Sequence, residues 1–234
     1  MPTRYRKWSD YPYPGDMVPP KGNPAPAYWP MFFINRPSTH EFFDPFRQRI
    51  AWNIRHPAQI NWTEELTLVQ QTQASLTPEQ KRIAQYWGAG EATEKMTRFI
   101  FRLAEKYRMG SPMTARVLAF FHAAVNDALV ISWYFKYLWD VARPIQYDSN
   151  LSTVVFTPKF PSYPSAHATV AGCAEVIMSH FFPREAVDLK RMVDECALSR
   201  LYAGVHFKID NDEGLKLGRQ IGRITVQLMA AQTI

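Results

Sequence analysis

Between residues 92 and 231 the apolar residues recur at intervals of three and four, in the stretches 92–108, 112–142, 168–181, 186–203 and 213–231. That spacing lays them along one face of an α-helix. No part of the chain shows the sustained alternation with β-branched residues that a half-buried strand needs, so the pattern restricts the fold to an all-α helical bundle. Local start signals agree with it. Asn61 or Thr63 precedes EELTLVQQTQ; Thr77-Pro78-Glu79-Gln80 combines a cap, a first-turn proline and a capping-box partner; Ser111-Pro112 precedes TARVLAFFHAAVNDALVISWYFKYLWDV.

Composition changes once, near residue 62. Before it lie 11 of the 18 prolines and many aromatic residues, as in YPYPGDMVPPKGNPAPAYWP. This predicts an extended arm over 1–62, packed through its rings without regular structure, and a single helical domain over 63–234. A chain of 234 residues with 47% hydrophobic composition has enough apolar surface for one well-buried core. Because so many rings left in water would invite aggregation, the arm is expected to lie on the body or on a second subunit, and a homodimer is the expected assembly.

Cys173 and Cys196 fall inside helical patterns, and the chain opens with no basic, apolar leader. A reducing cytoplasm is therefore expected rather than a disulfide scaffold. No uninterrupted apolar run reaches about 18–20 residues, so no membrane span is expected. The net charge of +6 is scattered along the chain, which argues against nucleic acid and suits a small oxyanion better.

Three segments place charged residues in apolar surroundings. Lys136 and Arg143 are seven apart, which on one continuous helix ended by Pro144 puts them on one face about 10.5 Å apart. In FPSYPSAHATVAG, Ser165 and His167 stand at the mouth of a helix, where a serine reads as a cap. In SRLYAGVHFKID, Gly204 is a plausible stop after Arg200, and His206 and Asp210, four apart, come within reach if the chain turns helical again. Singly, each has a plain reading: cations at a helix end, a cap, a satisfied histidine. His122 on the apolar helix reads as a core residue or one lying behind a site, and Asn126 and Asp127 as hydrogen-bonding groups beside it. His40, His56 and His180 show no partner pattern.

Together, KYLWDVARP, PSAH and SRLYAGVHFKID resemble in order and spacing the motifs of the superfamily that joins type-2 phosphatidic acid phosphatases, bacterial non-specific acid phosphatases and vanadium-dependent haloperoxidases. The family pattern is Lys, six residues, Arg-Pro; then Pro-Ser-Gly-His; then Ser-Arg, five residues, His, three residues, Asp. Only the glycine departs, at Ala166. The resemblance spans 136–210 and places no counterpart for 1–62. It implies a helical bundle in which Lys136, Arg143, Ser165, the backbone at Ala166, and Arg200 bind phosphate or vanadate. It also implies that His206, held by Asp210, is the nucleophile or vanadate ligand and that His167 is the acid or base. The residue types suit those roles: guanidinium and ammonium groups donate charge-assisted bonds to a tetrahedral anion, a helix start adds N–H groups and a positive dipole end, and a carboxylate fixes an imidazole tautomer. If the Ala166 position required φ > 0, its methyl would cost on the order of 1 kcal/mol.

FPSYPSAHAT also resembles the longer FPxYPSGHAT run of the haloperoxidases. Trp133, three before Lys136, fits their pattern, and Phe160 stands where they carry an aromatic or histidine bordering the halide site. The resemblance thus favours an enzyme that binds vanadate and oxidises halide with hydrogen peroxide. The alternative, which the short chain favours, is a phosphatase that hydrolyses phosphomonoesters through a phosphohistidine and needs no cofactor. A third reading, a non-enzymatic oxyanion-binding or coat-type assembly protein, has the retention of every charged motif residue against it.

Overall fold

Eight α-helices carry the chain in the computed structural model, which describes residues 5–232; the first four residues of the expected arm and the last two of the chain lie outside the described residues. Two short strands come first, β1 (Asn35–Ser38) and β2 (Glu41–Phe43), and then α1 (Trp62–Ala74), α2 (Pro78–Gly88), α3 (Ala92–Lys106), α4 (Ser111–Trp139), α5 (Pro144–Tyr147), α6 (Ala166–Phe181), α7 (Ala186–Tyr202) and α8 (Lys208–Ala231). Side-chain chemistry fixes several starts. Asn61 caps α1 by accepting from Glu64 N at 3.4 Å. Thr77 and Gln80 exchange bonds of 3.2 and 2.9 Å at the start of α2, with Pro78 in its first turn.

α4 is the central helix. It buries Val117, Phe121, Ala124, Ala128, Ile131 and Phe135 against its neighbours, and its contacts are with α3, α6, α8 and the arm. By length and composition it is apolar enough to cross a membrane. The expectation of no such segment counted only uninterrupted apolar runs, whereas an 18-residue window of α4 passes with at most two charged residues, and 56% of that window is buried inside the fold.

The helix also stops earlier than its apolar pattern. Asp140 takes a left-handed conformation, φ 54° and ψ 48°, and ends α4 at Trp139; short polar side chains tolerate that region best. Ser9 donates its hydroxyl to Asp140 Oδ2 at 2.6 Å, and Lys7 pairs with Val141 as an isolated β-bridge. Lys136 and Arg143 therefore do not share a helix face. Pro144 opens α5 instead of closing α4, and Arg143 stands at the α5 N-cap.

α6 and α8 make the most extensive helix contact among the described residues. Gly214, Gly218 and Gly222, four apart on α8, let the backbones approach: a Cβ on Gly218 would lie 1.9 Å from Thr169 O, and one on Gly172 of α6 would lie 2.3 Å from Leu215 O. Only glycine fits such an approach. It sets the two helix starts side by side, so that Ser165 N donates to Asp210 O at 2.9 Å.

The first 61 residues contain regular structure that the sequence reading lacked, namely β1 paired antiparallel with β2 and three 3-10 turns. Strands of four and three residues are too short for an alternation to register. Trp8, Tyr13, Ala27, Ile34 and Phe42 are buried, while Tyr28, Trp29 and Phe32 are exposed. Asp127 proves to hold this segment and not the motif site: its carboxylate accepts the backbone N–H groups of Phe32, Phe33 and Ile34 at 2.7, 2.8 and 3.1 Å. Asn126 donates to Pro30 O at 3.4 Å. His122 is exposed, with Nε2 3.3 Å from Thr97 Oγ1, and so is neither core nor behind the site.

Candidate oxyanion-binding site

The segment entering α6 meets the two cations of the first motif. Lys136, fully buried, donates from Nζ to Pro161 O at 2.8 Å and Ser162 O at 2.7 Å. Arg143, also fully buried, donates from Nε to Phe160 O at 2.9 Å and from Nη1 to Val205 O at 2.8 Å. The Phe160 ring covers both, its centroid 5.2 Å from Lys136 Nζ and 4.9 Å from Arg143 Cζ, and it packs on Trp133 at 4.8 Å.

Opposite them stands the pair from the third motif. Gly204, at φ +74°, ends α7. His206 lies just ahead of α8, with Asp210 in its first turn. His206 Nδ1 is 2.8 Å from Asp210 Oδ2, and Nε2 is 2.9 Å from Arg143 Nη1. A guanidinium has no lone pair to offer, so Nε2 must accept and Nδ1 must carry the proton it donates to Asp210. The same Oδ2 accepts Phe207 N at 3.1 Å and the Ser162 hydroxyl. Ser162 is a site residue that motif reading missed. It sits in the unspecified position of FPxYPS, and its role depends on a partner 48 residues away.

Arg200, in the last turn of α7, and His167, in the first turn of α6, complete the cluster. Lys136, Arg143, Arg200 and His167 all act electrostatically on His206, so elements far apart in sequence bring their groups into one buried region. Ser165 accepts from Ala168 N at 3.4 Å as the α6 cap, leaving its own proton free to donate. Ala166 is the first residue of α6 and does not have positive φ. The penalty considered for its methyl does not arise, because a helical position accepts alanine readily.

Several polar groups here lack partners. Arg200 Nε and Nη1 are buried without a hydrogen bond, and Arg143 Nη2 has no partner within hydrogen-bond geometry, although the Tyr13 hydroxyl approaches its guanidinium; buried N–H groups are rarely left so. His167 Nε2 is also unpartnered, but the neutral ring gives its proton to the Trp87 backbone, so Nε2 carries a lone pair. Two guanidinium groups, Arg143 and Arg200, and the Lys136 ammonium face one carboxylate among the described residues, Asp210; burial and the Arg143 charge push Lys136 well down. Burial and the Arg143 charge push Arg200 down to about 10, still a cation at neutral pH. Burial pushes the Asp210 carboxyl up to about 7, opposed by the Ser162 hydroxyl, Lys136 and Arg143. A tetrahedral anion would satisfy both the donors and the charge. Beside His167 opens a cavity of about 240 Å³, lined in part by Trp133, Phe160, Leu129, Ala166 and Val170.

Both site histidines are held neutral. Burial, then the Arg200 charge, lowers His167 to about 3; burial, then the Arg143 and Lys136 charges, lowers His206. A histidine depressed in the fold contributes stability that is complete above its unfolded value, about 6.5, and is lost as pH falls through that value toward the folded one. Without added anion, the two histidines should therefore lower the melting temperature as pH falls from about 6.5 to 4, opposed in part by Asp210, whose raised carboxyl takes up its proton in the fold over that range. His167→Gln should flatten that drop. An equal slope in parent and variant would contradict the buried neutral imidazole.

A family model described as the VCPO second helical-bundle domain matches residues 183–233, the part that carries Arg200, His206 and Asp210. A search of curated proteins finds no match. Among solved structures, a bacterial vanadium-dependent iodoperoxidase is similar at 23% identity and TM-score 0.67, over 77% of this chain and 55% of that one. An apo-type bacterial vanadium-dependent chloroperoxidase matches at 17% identity and TM-score 0.74, over 99% of this chain and 63% of the other. A transmembrane PAP2-type phosphatidylglycerolphosphate phosphatase from Bacillus subtilis matches at 17% identity and TM-score 0.57, over 74% and 87%. The chain thus has the fold that these peroxidases and phosphatases share, and it spans 55% to 63% of the length of those two peroxidase chains.

Proposed function

We propose that this chain, built on the fold shared by vanadium haloperoxidases and PAP2-type phosphatases, is a haloperoxidase-like enzyme that binds vanadate and oxidises halide with hydrogen peroxide. The observation that carries the anion site is the set of buried guanidinium nitrogen atoms without partners on Arg143 and Arg200. Lys136, Arg143, Arg200, the Ser165 hydroxyl and the start of α6 would hold the oxygen atoms. His206 would be the protein ligand, because its Nδ1–H is committed to Asp210 and its lone pair therefore sits on Nε2. When bound, vanadate would supply a Lewis-acidic centre that activates peroxide toward halide.

The chain's own groups do the rest. The three cations neutralise the anion and fix its orientation. Arg143 Nη1, now bonded to His206 Nε2, must release that nitrogen for the anion. His167, at the cavity and kept neutral, takes a proton from an incoming group and returns it. Phe160 and Trp133 line the same cavity and limit water at the cage, which suits a weakly hydrated halide.

A second reading has one observation in its favour, the cavity beside His167, which offers room for the leaving group of a phosphomonoester. There, His206 Nε2 would form a bond to phosphorus as the ester P–O bond breaks. His167, protonated once the bound dianion offsets the Arg200 charge, would give its proton to the departing oxygen. One pair of assays separates the readings: halide oxidation by peroxide and phosphate release from a general phosphomonoester, each with and without orthovanadate. The expected result is halide oxidation that requires vanadate. Phosphate release inhibited by vanadate, with no halide oxidation, replaces it with the phosphatase reading; phosphate binding with neither activity leaves a non-enzymatic oxyanion-binding protein.

A further inference from the structure

The cage is braced from outside its three motifs, by the N-terminal segment. Residues 6–8 run along the turn after α4: Trp8 N donates to Asp140 O at 2.8 Å, and Ala142 N donates to Arg6 O at 3.0 Å. Gln146 ties this segment to the first motif. Its Oε1 accepts the backbone N–H of Arg143 at 2.8 Å, and its Nε2 donates to Trp8 O and Tyr11 O at 2.9 and 2.6 Å.

Tyr13 reaches the other wall. Its hydroxyl accepts from Trp8 Nε1 at 2.9 Å and donates to Pro158 O at 2.7 Å. Pro158 O also accepts Phe160 N at 3.0 Å, closing the turn whose following carbonyls, at Phe160, Pro161 and Ser162, hold Arg143 Nε and Lys136 Nζ. A path of hydrogen bonds thus leads from Trp8 through Tyr13 to the carbonyls that aim two of the three cations. Tyr13 also bears on Arg143 directly: burial pushes the phenol up, and the charge of the guanidinium and a hydrogen-bonding approach to it oppose that push.

We infer that Tyr13 is a positioning residue of the oxyanion cage, holding the 158–162 turn so that Arg143 and Lys136 present their charges to one bound anion. This rests on the oxyanion reading of the site. A hydroxyl that merely tied the segment down would behave like that of Tyr5, which donates to Trp139 O at 3.0 Å, on the body but outside the 158–162 turn. The two tyrosines are a matched pair: same segment, same group, different destination.

The test titrates inorganic phosphate calorimetrically into the full chain and into Tyr13→Phe and Tyr5→Phe, each of which removes one oxygen and keeps the ring. Circular dichroism at the titration temperature establishes that each variant is folded. Tyr13→Phe should weaken phosphate binding about tenfold, the scale of one lost hydrogen bond, and Tyr5→Phe should stay within about twofold of the parent. Parent binding with an unaffected Tyr13→Phe overturns the inference, even if the melting temperature falls. Equal weakening by both variants also overturns it, since that marks a general loosening of the segment. A parent chain that does not bind phosphate is a separate result, which defeats the oxyanion reading itself.

Discussion

Replacing His206 by alanine should reduce halide oxidation, and any phosphate release, by on the order of 10⁴-fold or more, the scale seen when a reacting side chain of a concerted group is removed. Phosphate binding should outlast that loss. Lys136, Arg143 and Arg200 remain, with charge-assisted bonds worth roughly 1.5–3 kcal/mol each. The substitution also frees Arg143 Nη1 from the 2.9 Å contact with His206 Nε2, which adds a donor to the cage. His167→Ala should behave differently, losing about 10²- to 10⁴-fold, as for a proton-transfer group. Asp210→Asn should fall between them, because it removes the acceptor that fixes the His206 tautomer. Turnover and calorimetric phosphate affinity measured on the same preparations decide the matter. A His206→Ala chain with full turnover would place the reacting group elsewhere.

The second large effect should come from a residue with no chemistry. Gly218→Ala places a Cβ 1.9 Å from Thr169 O and 2.8 Å from Cys173 N, both backbone atoms that cannot swing aside as a side chain does. Overpacking usually costs about 1–3 kcal/mol, and a backbone clash of this depth should reach at least about 3 kcal/mol in urea unfolding. The same change should weaken anion binding, since parting α6 from α8 moves Ser165 and His167 away from His206 and Asp210. Gly110→Ala is the comparison: its nearest foreign atom is 3.9 Å away, and the cost there should stay within about 1 kcal/mol. Equal stability losses at the two positions would show that α6 and α8 are not packed backbone to backbone.

The features legible from the sequence are those whose two partners lie within a few residues of each other. Thr77 and Gln80 cap each other three apart, and His206 meets Asp210 four apart. The helical periodicity likewise needs no knowledge of the neighbouring helix. Gly214, Gly218 and Gly222 stand four apart in the sequence, but a small-residue stripe acquires meaning only when another backbone lies on it. The place of Arg143 is hidden from the sequence for a related reason. The apolar pattern runs through Asp140, and the turn that breaks it is held by Ser9 and Lys7, more than 130 residues away.

By itself, then, the sequence determined that the chain is helical, where the capped helices begin, and which cations, histidines and carboxylate belong to one motif set. Only the tertiary structure decided that Arg143 starts a helix instead of ending one, that Ala166 is unstrained, and that Asp127 holds the N-terminal segment. Contacts between distant segments also placed Ser162 on Asp210 and Tyr13 on the turn beneath the cage. The physical reason is range. Caps and helical periods arise from bonds and sterics inside one or two turns, whereas the aim of a buried charge is set by whichever backbone carbonyls the packed fold brings to it.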